Sequence, residues 1–193
     1  MAFKDFMDNT RKVLIDFGQY VKENSKKRLI RKSKFKEHRT EKGSLYNAID
    51  KYKVEENVKT YANSISVKFP FMKDFDYAKY LDLGVKGKSK SYGNTSKSPF
   101  KFGSGKGKKG GLTKGIENWV KKKRFQFRDE ETGKFLSYSS TSFLITRSVY
   151  QKGIPAKHFF SRSFDEGFKN LDKEIKEAFA LDIKEAFKKY TTS

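Results

Sequence analysis

The stretch "SFDEGFKNLDKEIKEAFALDIKEAFKKY" (163–190) decides the fold class. Phe164, Phe168, Leu171, Ile175 and Phe179 recur at three- and four-residue intervals, and Ile183, Phe187 and Tyr190 continue the series. Residues so spaced share one face of an α-helix, and lysines and glutamates occupy the rest. A long helix with one face to bury is therefore expected from about Ser163 to Tyr190. Its counterpart lies at the other end of the chain. "FKDFMDNTRKVLIDFGQYVKEN" (3–24) places Phe3, Phe6, Val13, Leu14, Phe17 and Val21 at the same spacing, with Gly18 as its weak point.

Between the two helices the period changes. In "KYKVEENVKTYANSISVKFPF" (51–71), Tyr52 and Val54 share one side, and Tyr61, Ile65, Val67 and Phe69 alternate as two strands of an antiparallel pair would. "DFDYAKYLDLG" (74–84) reads as a short helical turn ended by Gly84. "LTKGIENWVKKKRF" (112–125) sets Leu112, Ile116, Trp119 and Val120 at helical spacing, with Thr113 as a cap and Lys121, Lys122, Lys123 and Arg124 where the helix dipole favours cations. "FQFRDEETGKFLSY" (125–138) reads as a hairpin turning at "EETGK", "SSTSFLITRSVYQKG" (139–153) as a helix closed by Gly153, and "IPAKHFF" (154–160) as a link fixed by Pro155. The expected class is α+β: a small antiparallel sheet packed by a long N-terminal and a long C-terminal helix, with a basic Gly/Lys-rich loop. The expected division is an amphipathic helix and basic arm over 1–42, and an α+β domain over 43–193 with a flexible loop at 85–112.

The chain has 193 residues and a net charge of +21; 35% of residues are charged and 16% aromatic, and mean hydropathy is −0.84. The aromatic content points to a folded domain rather than a disordered polyelectrolyte. Positive and negative charges balance over 1–24, and 165–193 is slightly acidic, so the whole excess falls within 25–164. Solubility alone would not concentrate charge in this way, so a polyanion or an acidic protein surface is the expected partner. "SKKRLIRKSKFKEHR" (25–39) holds Lys26, Lys27, Arg28, Arg31, Lys32 and Lys34 among its cations. The insert "LGVKGKSKSYGNTSKSPFKFGSGKGKKGG" (83–111) adds Lys86, Lys88, Lys90, Lys106, Lys108 and Lys109, with no acid between Asp82 and Glu117. These are the candidate contacts to DNA or partner. Tyr92, Phe100 and Phe102 interleave with the insert's lysines and could stack on bases.

Chemistry is poorly represented. Cysteine is absent, which excludes disulfides, thiolate metal sites and thiol catalysis. "GKS" at 87–89 lacks the glycine that a phosphate-binding loop needs, since Asp82 stands there, and no dinucleotide fingerprint follows a strand in "GSGKGKKGG" (103–111), where the frame opening at Gly103 has Lys108 in place of the last glycine. Neither His38 nor His158 has a ligand-spaced neighbour, and the carboxylates Asp74 and Asp76, and Asp129, Glu130 and Glu131, fall in turns among lysines. No catalytic, cofactor-binding or metal-binding residue is assigned, and no enzyme activity is expected. There is no apolar run long enough to cross a membrane and no leader-like N-terminus, so a cytoplasmic setting without membrane contact is expected.

Three stretches resemble one family. "DYAKYLDLGVKG" (76–87), "GSLYNAI" (43–49) and "LITRSVYQKGIPAKHFFSRSFDEGFKNL" (144–171) are similar, in order, to the segments of head–tail connector, or tail-completion, proteins of tailed bacteriophages. "IENWVKKK" (116–123) resembles a helix that larger members place between them. Leu83-Gly84-Val85 departs from the acidic-Gly-Thr sequence common at that point in the family. The resemblance implies a structural virion protein of the phage neck, assembled in the bacterial cytoplasm. Such a protein forms a homo-oligomeric ring, six- or twelve-fold, between portal or adaptor rings and tail proteins, and double-stranded DNA passes through without sequence readout. It requires no cofactor. Tyr77, Tyr80, Leu81, Trp119, Ile154, Phe159, Phe160 and Phe164 are then the expected core or subunit-interface residues. The alternative from another class is a free, non-specific nucleic-acid-binding protein acting through the basic loop and arm.

Overall fold

The computed structural model describes residues 6–30, 45–61, 63–89, 92–104 and 110–191. In chain order the elements are α1 (Asp8–Ile30), α2 (Leu45–Lys51), α3 (Val54–Asn57), β1 (Val58–Thr60), β2 (Ile65–Val67), α4 (Phe71–Asp74), α5 (Ala78–Leu83), β3 (Val85–Lys86), a 3-10 turn (Gly93–Thr95), α6 (Gly111–Lys123), α7 (Tyr138–Lys152), β4 (Gly153–Ile154) and α8 (Ser161–Thr191). They form two compact units: Met1–Asp82 together with Lys157–Ser193, and Leu83–Ala156. The contacts thus divide the chain at 82/83 and 156/157, whereas the sequence reading divided it at 42/43. The reason is that the N-terminal helix does not stand apart but buries its apolar face within the first unit.

In that unit α1 packs along α8. Leu14, Phe17, Val21 and Leu29 are buried on one side of α1, with Thr10, Gly18 and Ser25 between them. The helices run antiparallel, as two side-chain ties show. Asp182 accepts hydrogen bonds near the start of α1, and Arg28 near its end meets Glu166 of α8 at 2.5 Å. Gly18 is no mere weak point: a Cβ there would lie 2.5 Å from Val54 Cγ1, so the missing side chain admits α3 against α1.

The short strands pair antiparallel, Val58 opposite Val67 and Thr60 opposite Ile65, which satisfies the expected small sheet. The alternation read at Tyr52 and Val54 is instead resolved as a helical turn. One turn of helix puts Val54 and Val58 on the same side, and both are buried. Tyr52 lies outside the strands and donates its hydroxyl proton to the Lys68 carbonyl at 2.5 Å. Around these elements the aromatic content forms the core. Phe17 meets Phe164 edge-on with centroids 5.3 Å apart, and Phe69 meets Phe160 at the same separation. Phe71 and Phe159 are fully buried, each contributing about 1.5–3 kcal/mol by burial.

The second unit pairs α6 with α7 and β3 with β4. Val85 faces Ile154 and Lys86 faces Gly153 in an antiparallel register. Gly153 has φ +84, and a Cβ there would collide with the Val85 carbonyl, so the strand can approach only because that position is glycine. The hairpin expected after α6 is present in short form: Arg128 and Phe135 make an antiparallel bridge, the Leu136 amide donates to the Phe127 carbonyl and the Asp129 amide to the Lys134 carbonyl, both at 2.9 Å, and the chain turns between them. Asp129 closes it by accepting from both the amide and the hydroxyl of Thr132 at 2.8 Å.

Candidate interaction surfaces

The residues carrying the family resemblance are wired to one another. In the first unit, the Leu45 amide donates to the Tyr77 hydroxyl at 3.0 Å, linking the first two stretches. The Lys157 amide donates to the Leu81 carbonyl at 3.0 Å, and the His158 amide to the Asp82 carbonyl at 2.9 Å. The Asp82 carboxylate, almost fully buried, accepts from the amides of Phe160 at 2.8 Å and Ser161 at 3.2 Å. It thereby satisfies donors that the start of α8 would leave open. In the second unit the same pair of stretches continues as β3 and β4.

Several expected core residues keep that role. Phe159 is fully buried, while Leu81, Phe160 and Phe164 pack partly buried against the core of the first unit. Ile154 is half-buried opposite Val85. Tyr77, Tyr80 and Trp119, expected in the core or a subunit interface, are 47%, 38% and 44% exposed and so do not lie in the core. On α6 only Val120 is buried: one neighbouring helix covers a stripe too narrow to include Trp119.

The basic residues separate in the same way. Lys26 is bound to Asp50 at 2.7 Å; that hydrogen bond, opposed by partial burial, raises its pKa above the ordinary lysine value. Arg28 is held by Glu166, whose carboxyl is lowered first by Arg162 and then, against some burial, by Arg28 itself. Both arm cations are therefore turned into the fold, and Lys27 alone of the three projects outward. Arg31, Lys32 and Lys34 lie outside the described residues, as do Lys90, Lys106, Lys108 and Lys109.

The described part of the insert is a built loop, not a free one. Lys86 donates its amide to the Phe100 carbonyl at 2.8 Å and accepts from the Phe102 amide at 2.9 Å. The Ser98 hydroxyl donates to the Gly84 carbonyl at 2.7 Å, and Thr95 is fully buried. Lys88 sits with its ammonium 5.9 Å from the centre of the Tyr150 ring. Of the three loop aromatics, Phe102 leans on Tyr150, Phe100 is half-buried, and only Tyr92 is well exposed.

Sequence reasoning missed two features. Lys157 extends its ammonium to the Leu29 carbonyl at 3.2 Å, and burial lowers its pKa. The end of α6 gathers exposed rings and cations: Trp119 meets Phe125, Phe125 meets Phe127, and the Arg128 guanidinium lies 4.6 Å from the Phe135 ring centre. The alternation in "RFQFR" (124–128) was the available signal, and it read as strand.

Among the described residues no group of three or more His, Asp or Glu side chains could hold a metal ion, and no described helix is long and apolar enough to cross a membrane. No protein-family model matches the chain, and neither a curated protein nor a solved structure matches it.

Proposed function

We propose that the chain is a structural, non-enzymatic subunit of a tailed-phage neck, forming a ring between the head and the tail around the DNA channel. The observation that carries this reading is the convergence of the three resembling stretches. Leu45 to Tyr77, Leu81 and Asp82 to Lys157 through Ser161, and Val85 to Ile154 are direct bonds between segments spread over more than a hundred residues. Exposed apolar side chains on α8 give a subunit something to bury against its neighbours: Phe168, Phe179, Ile183 and Phe187 are 54%, 40%, 40% and 67% exposed. The positive excess suits a lumen that DNA traverses or an acidic adjoining ring, with portal or adaptor and tail proteins as partners and the virion as location.

The test is mass spectrometry of purified particles combined with light scattering of the isolated chain. The reading expects the chain in every virion at a fixed multiple of the portal, and a ring-sized oligomer alone or with its partner rings. Absence from particles would overturn it. In that case salt-sensitive binding to bulk DNA would favour the reading as a free nucleic-acid-binding protein.

A further inference from the structure

Helix α6 ends in a surface that the fold leaves uncovered. Trp119, Phe125 and Phe127 are each more than a third exposed, yet they form a continuous run. The ring centres of Trp119 and Phe125 are 5.8 Å apart, and those of Phe125 and Phe127 are 5.3 Å apart. Lys121, Lys122, Lys123, Arg124 and Arg128 are exposed beside them. The one acid between Lys114 and Arg128 is Glu117, and Lys121 occupies it at 2.7 Å.

The backbone imposes this arrangement. Arg124 has φ 50 and ψ 39, a left-handed conformation that glycine usually supplies just beyond a helix end. The turn closes through the Arg124 amide to the Lys121 carbonyl at 3.2 Å and the Phe125 amide to the Val120 carbonyl at 3.0 Å. It folds Phe125 back against Trp119. The Phe127 amide then donates to the hydroxyl of the buried Thr141 at 3.2 Å, fixing the next ring of the run.

Exposed rings accept several kinds of occupant, and charge decides among them. The same surface on a second copy would bring these cations face to face and is repelled. A polyanion is drawn to them, and one whose bases are free can also stack on the rings. A duplex keeps its bases in its own stack and offers these rings little. We propose that Trp119, Phe125 and Phe127, flanked by Lys122, Lys123, Arg124 and Arg128, form a stacking platform for single-stranded nucleic acid, with bases on the rings and phosphates on the cations. The platform lies wholly within the Leu83–Ala156 unit, and its test is separate from the particle analysis that tests the neck reading.

Trp119 is the single tryptophan, so its fluorescence reports on this surface alone. Titrating oligo(dT) into the full chain should quench it, with an affinity that falls as salt rises. Trp119→Leu and Phe125→Leu keep an apolar side chain without an aromatic face; with circular dichroism unchanged, each should weaken oligo(dT) binding by roughly 5- to 150-fold. A duplex of equal phosphate number should bind parent and variants alike without quenching. Lys122→Gln with Lys123→Gln should flatten the salt dependence. The proposal is overturned if oligo(dT) saturates the chain without quenching Trp119, if the leucine variants bind it as the parent does, or if the duplex quenches equally. Self-association that Trp119→Leu abolishes, without oligo(dT) binding, would assign the surface to a second copy and overturn it too.

Discussion

Replacing Asp182 tests the clasp between the two long helices. Its carboxylate is 1% exposed and accepts three hydrogen bonds from the start of α1: the Asn9 amide at 2.9 Å, the Thr10 amide at 2.9 Å and the Thr10 hydroxyl at 2.6 Å. A residue of α8 thus does for α1 what a local capping side chain would ordinarily do. Hydrogen bonds to a charged group contribute about 1.5–3 kcal/mol each when measured singly, but three that share one carboxylate do not add. Asp182→Ala should therefore cost about 3 kcal/mol. With a urea dependence of about 2 kcal/mol per molar, the midpoint falls by about 1.5 M. Asp182→Asn keeps the shape and one acceptor, and should lose about half as much.

The acid side of the stability profile carries a second signature. Burial raises the Asp182 pKa, but the Thr10 hydroxyl and the Thr10 and Asn9 amides outweigh it, and the net shift is downward. A carboxyl with a folded pKa below its unfolded value of about 3.9 adds stability above that value, and this contribution is lost as pH falls through the folded pKa. Urea unfolding followed by far-ultraviolet circular dichroism should show the parent weakening below about pH 4, with a shallower decline in both variants. A loss smaller than about 0.5 kcal/mol in Asp182→Ala, or acid profiles parallel to the parent's, would refute the clasp.

Three further outcomes follow from the same structure. Gly18→Ala forces a Cβ onto Val54 and should lower stability by about 1–3 kcal/mol, read from the same denaturation curves. Gly153→Ala combines a left-handed backbone with a clash on β3; it should cost at least 1–2 kcal/mol, visible as a reduced thermal midpoint. Phe168→Ser with Phe187→Ser should shift monomer stability by only about 0.5 kcal/mol, yet weaken assembly in light scattering if these side chains meet a neighbouring subunit.

What could be read from the residue order, and what could not, follows from the range of each interaction. The two long helices were legible because Phe164 to Phe187 and Val13 to Val21 repeat at a period that belongs to the helix itself. The strand pair was legible at Ile65 and Val67. Tyr52 and Val54 misled because a two-residue alternation fits a strand and the edge of a helical turn equally well. Only the close approach of Val54 to Gly18 selects the turn. Trp119 was expected in the core or a subunit interface because apolar spacing marks the face a helix could bury; how much of it the chain's own fold covers depends on the neighbour. The capping carboxylates were invisible for a simpler reason. Asp182 serves Thr10 across 172 positions and Asp82 serves Phe160 across 78, so neither has a local signature. The partners that occupy Lys26 and Arg28 were hidden in the same way, and the charge count could not foretell that these two cations would be spent inside the fold.

The pairing of α1 with α8 also sets a timetable. As the chain leaves the ribosome, the apolar face of α1 emerges early, but Asp182 and Glu166, which hold it, follow well over a hundred residues later. Until then Leu14, Phe17 and Val21 have only α2, α3 and the first strand pair to cover them. Such distant closures slow folding and leave the intermediate prone to wrong associations. The Leu83–Ala156 unit depends on nothing so remote and can complete itself while the other half-built unit waits. In a cell making many copies at once, an α1 awaiting its own α8 is open to that of a neighbouring chain, so exchange of helices between nascent subunits is the characteristic error this architecture must avoid.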